Sequence, residues 1–365
     1  MAKIKLTLLI GGKTGEHRVN LISSKYVLPS IDRKKYEVTL LGIDREGAWY
    51  LLDQNNYLVN ADDPSKIEFS KNNPIVSLIN ISDEVFFLDF KTGNKLGSTQ
   101  VFFSLIGGTY AEDGRLQGHL DMLNIPYVGA GVTGSVLGID KVIMKQVLQQ
   151  SGIKIARFLS LKLFERNQNN ANKILKEFSY PFFIKPANLG SSIGITKVYT
   201  RSQLESALDL AFTYDNKIII EEYIKGREIE CAVLGRDDDL FVSIPGEIIP
   251  NHDFYTYEAK YIDPNGADII IPALLSKDKF EELQALAKQA FTALDCAGFG
   301  RIDFFLTQDG EFFVNEINTI PGFTNISLYP KLMEASGISY TDLLDRLIEY
   351  AFQEKKSKER LKIMI

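Results

Sequence analysis

Two acidic residues near the C-terminus stand in a pattern that could hold a metal ion. The Asp-Gly dipeptide at 309–310 separates two β-rich runs, which is typical of a two-residue hairpin turn. Such a turn places Asp303 opposite Glu316 and Arg301 opposite Asn318, with all four on one face. The other face then carries the apolar side chains Ile302, Phe304, Leu306, Phe313 and Ile317.

Carboxylates that face each other across a β-ladder repel, and aromatic neighbours strengthen the repulsion by lowering the local dielectric. A hard divalent cation would neutralise Asp303 and Glu316, with the amide oxygen of Asn318 as a third ligand, because Mg²⁺ prefers oxygen. Pairing with Arg301, or a proton shared between the two acids, would also relieve the repulsion. A metal site is the interpretation that we favour, and it depends on this register.

A lysine followed by a flexible loop forms a second pattern. An apolar strand at 182–184 ends in Lys185, and a loop rich in glycine and serine runs to Gly194. An unpaired ammonium there is costly, and a phosphate would compensate it while the loop's amides and hydroxyls fold over it. The lysine precedes the glycines, so this is not a Walker A loop. The alternative is that the loop only connects two strands.

Composition restricts the remaining chemistry. The chain has 365 residues, 45% hydrophobic content, and a net charge of -6 from 41 Lys and Arg against 47 Asp and Glu. This length predicts two or three domains, and the acidic balance argues against a duplex nucleic-acid partner. Two cysteines and three scattered histidines argue against a Cys/His zinc site. Apolar neighbours predict that Cys231 and Cys296 are buried free thiols in a reducing compartment. The apolar runs are strand-sized, below the ~18 residues that cross a membrane.

The elements that would position these residues alternate between strands and helices. Periodicity predicts a strand at 5–10, a helix at 19–29 and a strand at 37–43, which is the pattern of a parallel sheet. Residues 44–100 are predicted to be irregular, and a buried strand returns at 100–105. Further strands and helices follow to the C-terminus, so the fold class is α/β.

Combined, the strand-end lysine, its loop and the carboxylate hairpin resemble the ATP-grasp ligases, and finer motifs are similar to the D-alanine:D-alanine ligase family. They occur in family order: Gly11-Gly12 with Glu16, Glu112-Asp113-Gly114 with Gln117-Gly118, Asp140-Lys141, Lys185 to Gly194, Glu221 to Ile224, Glu258-Ala259-Lys260-Tyr261, Gly300 to Asp303, and Asn315 to Thr324. The resemblance implies a three-domain ATP-grasp ligase with α+β elements. We place an N-terminal parallel-sheet, substrate-binding domain at 1–129, a central ATP-grasp subdomain at 130–222, and a C-terminal subdomain with metal site and lid at 223–365.

The resemblance implies a two-step ligation that serves peptidoglycan precursor synthesis. ATP phosphorylates the carboxylate of one D-alanine, and the amine of a second D-alanine attacks the resulting acyl phosphate. It also implies two divalent ions, Mg²⁺ or Mn²⁺, a cytoplasmic location and a homodimer. No nucleic-acid or membrane partner is expected.

Individual residues receive roles from the same resemblance. The ATP-binding set is Lys141, Lys185, Ser192, Glu221, Glu222, Ile224 and Glu228. Lysines would meet the phosphates, residues 221–224 would read the adenine, and Glu228 would contact the ribose. The metal ligands would be Asp303, Glu316 and Asn318.

The catalytic set is Glu16, Ser191, Lys260, Tyr261, Arg301 and Gly322. Glu16 would orient the ammonium of the first D-alanine and connect to Ser191 and Tyr261. Arg301 and the Gly322 amide would stabilise the oxyanion. The substrate-binding set is Glu16, Arg301, Gly322 and Ser327, with Ser327 on the carboxylate of the second D-alanine.

One segment departs from the family pattern. The family carries Leu-His-Gly shortly before Glu-Asp-Gly, whereas here Ile106 stands where the histidine is expected, with one extra residue. Either Thr109 or Tyr110 could take over its contact with the first D-alanine. A ligase that uses D-serine, D-lactate or another amino acid is therefore an alternative, although Tyr261 favours D-alanine. A non-catalytic nucleotide-binding module, or a dehydrogenase built on the GxGxxG at 129–134, would be alternatives of other classes.

Overall fold

The computed structural model describes residues 2–82, 84–251 and 266–361. Its N-terminal section contains a sheet in the order β3-β2-β1-β9, in which β1 pairs in parallel with both β2 and β9. The elements of this section are β1 (Ile4–Gly11), α1 (His17–Ser30), β2 (Tyr36–Ile43), β3 (Trp49–Leu52), β4 (Leu58–Val59), β5 (Glu68–Phe69), β6 (Val76–Ile81), β7 (Glu84–Asp89), β8 (Lys95–Thr99), β9 (Val101–Ser104) and α2 (Arg115–Met122). The parallel sheet predicted from the first three elements is confirmed.

The prediction that residues 44–100 are irregular is wrong. β3 extends the main sheet, β4 pairs with β5, and β6, β7 and β8 form an antiparallel sheet of their own. These strands have two to six residues and are partly exposed. Polar side chains and turn residues therefore obscure the alternation of apolar and polar residues by which a strand is recognised in a sequence.

The central section is built around an antiparallel sheet in the order β10-β13-β11-β12. Its elements are α3 (Val132–Ile139), α4 (Lys141–Gln150), β10 (Phe158–Lys162), α5 (Gln168–Glu177), β11 (Phe182–Pro186), β12 (Thr196–Val198), α6 (Leu204–Tyr214) and β13 (Lys217–Glu222). The Asp140 carboxylate caps α4 by accepting hydrogen bonds from the amides of Val142 and Ile143, at 3.1 and 3.2 Å. This cap fixes the point at which Lys141 enters the helix.

The C-terminal section is an antiparallel sheet in the order β17-β16-β14-β18-β19, with β15 also paired to β14. Its elements are β14 (Gly226–Arg236), β15 (Asp239–Val242), β16 (Gly246–Pro250), β17 (Ala267–Ile270), α7 (Lys277–Ala293), β18 (Gly298–Thr307), β19 (Phe312–Asn318), α8 (Leu328–Ala335) and α9 (Tyr340–Lys358). Across the ranges that the structure describes, no helix is both long and apolar enough to span a bilayer.

The apolar cores explain how the sections are held. Leu8 of β1 belongs to the same buried cluster as Phe299 of β18 and Leu344 of α9, so the N- and C-terminal sections share one core. The central sheet has a separate core that includes Phe182 and Ile220, whereas Met144 and Leu148 of α4 pack in a core with the C-terminal section. The central sheet therefore stands against a unit formed by the other two, and clefts open between them.

Candidate active site

The carboxylate hairpin has the predicted pairing at the positions that matter. Asp303 lies opposite Glu316, and Arg301 lies opposite Asn318. The predicted two-residue turn is wrong, however, because the Thr307 amide donates to the Glu311 carbonyl at 3.0 Å and three residues form the turn.

A β-bulge compensates for the longer turn. The register shifts between Asp303 and Phe304, so that Phe304 faces Val314 and Asn315 is the extra residue on β19. The bulge returns Glu316 to the position opposite Asp303. It also moves Phe313 to the half-exposed face, contrary to prediction, and places Val314 in the core.

Arg301 lies among acidic side chains on the face that borders the cleft. Its Nε and Nη2 atoms each donate to Asp303 at 2.8 Å, and Nε lies 2.7 Å from Oε2 of Glu230. Asn318 Nδ2 donates to Asp303 at 3.1 Å, and Lys141 Nζ lies 3.3 Å from Glu316. The ion pairing left open by the sequence is thus present in the structure.

The donor set still suits a hard cation. Asp303, Glu316 and the amide oxygen of Asn318 are oxygen ligands on one face of two adjacent strands. In the described ranges, no group of three or more His, Cys, Asp or Glu residues is arranged to hold a metal, at this hairpin or elsewhere, so the set depends on the Asn318 amide oxygen as its third ligand.

Sequence reasoning missed Glu230, which lies on β14 opposite Asp303. Its signal was the alternation of Glu228 and Glu230 on one face of a strand. It completes a row of three carboxylates across β14, β18 and β19.

A cavity of about 440 Å³ lies between the central and C-terminal sheets. Its lining includes every residue predicted to bind ATP: Lys141, Lys185, Ser192, Glu221, Glu222, Ile224 and Glu228. They come from the start of α4, the end of β11, the Gly/Ser loop, the end of β13, the connection from β13 to β14, and the start of β14. The fold thus brings together residues that are far apart in sequence.

A buried ionic cluster lies beside this cavity. Glu221 is 2% exposed, and its two carboxylate oxygens lie 2.9 Å from Lys145 Nζ and 2.5 Å from Lys185 Nζ. Burial alone would raise the pKa of Glu221, but the charges of Lys145 and Lys185 outweigh it and lower the pKa to about 2. Burial lowers the pKa of Lys145, whereas for Lys185 the negative charge of Glu221 overcomes burial and raises the pKa. The strand-end lysine therefore has a protein partner, and the glutamate is ionised at neutral pH.

A smaller cavity of about 130 Å³ lies at the junction of all three sections. Its lining includes the four residues predicted to bind substrate: Glu16, Arg301, Gly322 and Ser327. Ser191 also lines it and donates a hydrogen bond from its hydroxyl to Glu16. The predicted link between Glu16 and Ser191 is confirmed, whereas Lys260 and Tyr261 lie outside the described residues.

The two cavities adjoin. Lys141, Ser191 and Glu316 line both of them. A ligand in the larger cavity would therefore meet a ligand in the smaller one near these three shared residues.

Ser327 is held in place at the smaller cavity. Its Oγ accepts a hydrogen bond from the Thr324 amide at 2.9 Å and lies within 2.8 Å of the Thr324 hydroxyl.

Glu112 is a buried carboxyl group to which the sequence gave no role. Its oxygens accept hydrogen bonds from the amides of Gly108, at 2.6 Å, and Ile320, at 2.8 Å, so it joins the N-terminal and C-terminal sections. Burial and the nearby negative charge of Glu16 raise the pKa of Glu112 to about 8, although the two amides and Lys141 oppose the shift. The carboxyl group is therefore largely protonated below that pH.

The expectation for the missing histidine needs correction. Ile106 is 1% exposed and packs in the N-terminal core, so its side chain does not line the smaller cavity. Thr109 and Tyr110 line a separate cavity on the other side of this loop. Leu105 and Gly107 of this segment do line the smaller cavity, and an added Cβ at Gly107 would lie 2.8 Å from Glu16 Oε2.

Comparison with known proteins agrees with the motifs. A family model described as the D-ala D-ala ligase N-terminus matches residues 5–130, and one described as the D-ala D-ala ligase C-terminus matches residues 147–349. The D-alanine–D-alanine ligase of Oceanobacillus iheyensis is 45% identical over 360 residues, which cover 99% of this chain and 98% of the relative. D-alanine–D-alanine ligase A of Escherichia coli is 43% identical over 362 residues, 99% of each chain.

Solved structures give the same result. The D-alanine-D-alanine ligase from Coxiella burnetii has a TM-score of 0.85 at 33% identity. The superposition covers 99% of this chain and 97% of the Coxiella burnetii chain. The VanG D-Ala:D-Ser ligase from Enterococcus faecalis has a TM-score of 0.83 at 32% identity, with 96% and 100% coverage. These neighbours confirm the α/β ATP-grasp fold, and the full-length relatives identify an ATP-dependent ligase. The chain belongs to the D-alanine:D-alanine ligase family.

Proposed function

We propose that the two adjoining cavities join two D-alanines through a D-alanyl phosphate, with ATP in the larger cavity and D-alanine in the smaller. The observation that carries this proposal is that Lys141, Ser191 and Glu316 line both cavities. A phosphoryl group at the junction could pass from ATP to a carboxylate without leaving the protein. In-line transfer depends on such positioning and on local positive charge.

The larger cavity is suited to a nucleotide. Ionised Glu221 is a hydrogen-bond acceptor for an exocyclic amino group such as that of adenine, and Glu228 stands near for ribose hydroxyls. Lys141 and Lys185 supply positive charge for phosphates, with Ser192 in the loop beside them. This local charge offsets the overall acidity of the chain.

Asp303, Glu316 and Asn318 are the residues that would hold Mg²⁺ or Mn²⁺, and the family resemblance suggests two ions. When bound, such ions would supply positive charge that offsets the negative charge of the phosphates during transfer. Arg301 and Lys141 already balance part of the carboxylate charge.

In the smaller cavity, Glu16 would accept the ammonium of the first D-alanine, held in place by the Ser191 hydroxyl. Arg301 and the Gly322 amide would donate to the oxyanion of the tetrahedral intermediate. Ser327 would bind the carboxylate of the second D-alanine. The family resemblance also implies that Lys260 would act near the transferring phosphate and that Tyr261 would connect to Glu16.

Assembly, location and pathway extend the proposal. Both cysteines are buried free thiols, and burial raises their pKa, which agrees with a reducing, cytoplasmic compartment. We expect a homodimer and a product used in peptidoglycan precursors. The domain limits of 1–129, 130–222 and 223–365 are supported by the one main sheet that each section contains.

A second candidate is a ligase that joins D-alanine to D-serine. The similar fold of the VanG D-Ala:D-Ser ligase supports it, as does Gly107, which leaves the wall of the smaller cavity without a side chain. Purified protein with ATP, Mg²⁺ and D-alanine, alone or with D-serine or D-lactate, separates the candidates by mass spectrometry. Dipeptide from D-alanine alone supports the first proposal, and a mixed product formed in preference supports the second.

A further inference from the structure

Lys145 on α4 is a charged side chain that the proposed chemistry does not use. It is 1% exposed and contacts one strand of each of two sheets. Its Nζ lies 2.9 Å from Glu221 on β13 and donates to the backbone carbonyl of Asn315 on β19 at 3.2 Å. Burial of an ammonium costs free energy, which the contacts of Lys145 must offset.

The contact with Asn315 is made at a functional irregularity. Asn315 is the residue that the bulge inserts, and the bulge sets Glu316 opposite Asp303 after a three-residue turn. A bulged residue is left out of the regular ladder, so its backbone groups need other partners. Lys145 supplies one for the carbonyl.

The contact with Glu221 is made at a second residue that lines the larger cavity. One carboxylate oxygen of Glu221 is next to Lys145 and the other is next to Lys185. Because each lysine contacts a different oxygen, the two lysines together fix the plane of the Glu221 carboxylate. Without Lys145, the carboxylate could rotate toward Lys185 and draw that lysine away from the phosphates.

We propose that Lys145 is a positioning residue that ties Glu221, which would contact the adenine, to the Asn315 bulge, which sets the metal ligand Glu316 in place. This inference rests on the proposed function of the larger cavity. A single buried cation then orients both the Glu221 carboxylate and the bulge, so ATP affinity and metal affinity depend on it together. The low pKa of Glu221 agrees with this arrangement, since the two lysines keep the carboxylate ionised.

Lys145→Met tests the inference because methionine has nearly the same length without the charge. The KM for ATP and the Mg²⁺ or Mn²⁺ concentration for half-maximal activity should each rise about 10- to 100-fold, which is typical when the group that orients a ligand is lost. The KM for D-alanine should stay within about 2-fold, because Lys145 does not line the smaller cavity. Lys154→Met is the matched control: Lys154 is exposed, pairs with Glu311 on the same hairpin at 2.5 Å, and should leave all three constants unchanged.

A purely structural role predicts a different pattern. The melting temperature and the active fraction would fall, while KM for ATP and the metal requirement of the remaining enzyme stayed within about 2-fold of wild type. That result would overturn the inference.

A second variant covers misfolding of Lys145→Met. Lys145→Met combined with Glu221→Gln removes both buried charges, and it is compared with Glu221→Gln alone. The double variant should need about 10-fold more metal than Glu221→Gln alone. Both proteins lack the charge of Glu221, so the difference between them is the loss of the contact from Lys145 to the Asn315 carbonyl. Equal metal requirements, or failure of both Lys145 variants to fold, would show that the lysine is structural. Wild-type dipeptide synthesis, measured in parallel, tests the proposed function separately.

Discussion

Glu112 makes the stability of this protein depend on pH in a direction opposite to that of most paired carboxylates. Its pKa is raised from an ordinary value of 4.5 to about 8, first by burial and then by the charge of Glu16. The unfolded chain therefore releases this proton before the folded chain does. The contribution of Glu112 is fully present below pH 4.5 and is lost as the pH rises toward 8.

The two pKa values determine the size of the effect. Between pH 5 and pH 8, ionisation of Glu112 in the unfolded chain should reduce the free energy of unfolding on the order of 3 kcal/mol. Glu112→Gln cannot ionise, and it weakens one of the two amide contacts by a similar amount at every pH. The wild type should therefore be the more stable protein at pH 5, and its advantage should shrink or reverse at pH 8.

Urea denaturation of both proteins at pH 5, 6.5 and 8 measures this difference. Glu334→Gln, at an exposed position on α8, is the control and should follow the wild type at each pH. If the wild-type and Glu112→Gln stabilities run parallel from pH 5 to pH 8, the reasoning about Glu112 is refuted.

Two further predictions concern the reacting groups. Gly107→Ala should raise the KM for D-alanine about 10-fold with little change in the KM for ATP, since its Cβ would lie 2.8 Å from Glu16 and displace that carboxylate. Steady-state kinetics measures this, and an unchanged KM for D-alanine would show that Glu16 does not hold the substrate. Glu316→Ala should lower kcat at least about 100-fold through loss of metal, because charge stabilisation of this kind contributes about 3 kcal/mol. Asp309→Ala, in the exposed turn of the same hairpin, is its control, and near-normal activity of Glu316→Ala would contradict the metal assignment.

The sequence predicted the carboxylate pairing correctly although one premise was wrong. The Asp-Gly turn contains one residue more than expected, and the bulge at Asn315 cancels the shift before Glu316. Nothing in the local sequence distinguishes a two-residue turn from a longer turn followed by a bulge. The side chain that reveals the difference is Phe313, which lies on the face opposite to the predicted one.

Residues carried by motifs were easier to predict than residues defined by tertiary contacts. Every residue predicted to bind ATP lines one cavity, because each lies at or near a strand end or a helix start. Lys145, Glu112 and Glu230 gain their importance from partners that are 76, 208 and 71 positions away. Such partners are fixed by the packing of three sheets, which local periodicity does not specify.

Dependence of ATP turnover on D-alanine tests the central claim most directly. Purified protein with ATP and Mg²⁺ should release phosphate only when D-alanine is added, with an equal amount of D-alanyl-D-alanine detected by mass spectrometry. L-Alanine is the control and should leave phosphate release at its background rate. Phosphate release that D-alanine does not stimulate, or that occurs without the dipeptide, would contradict the account.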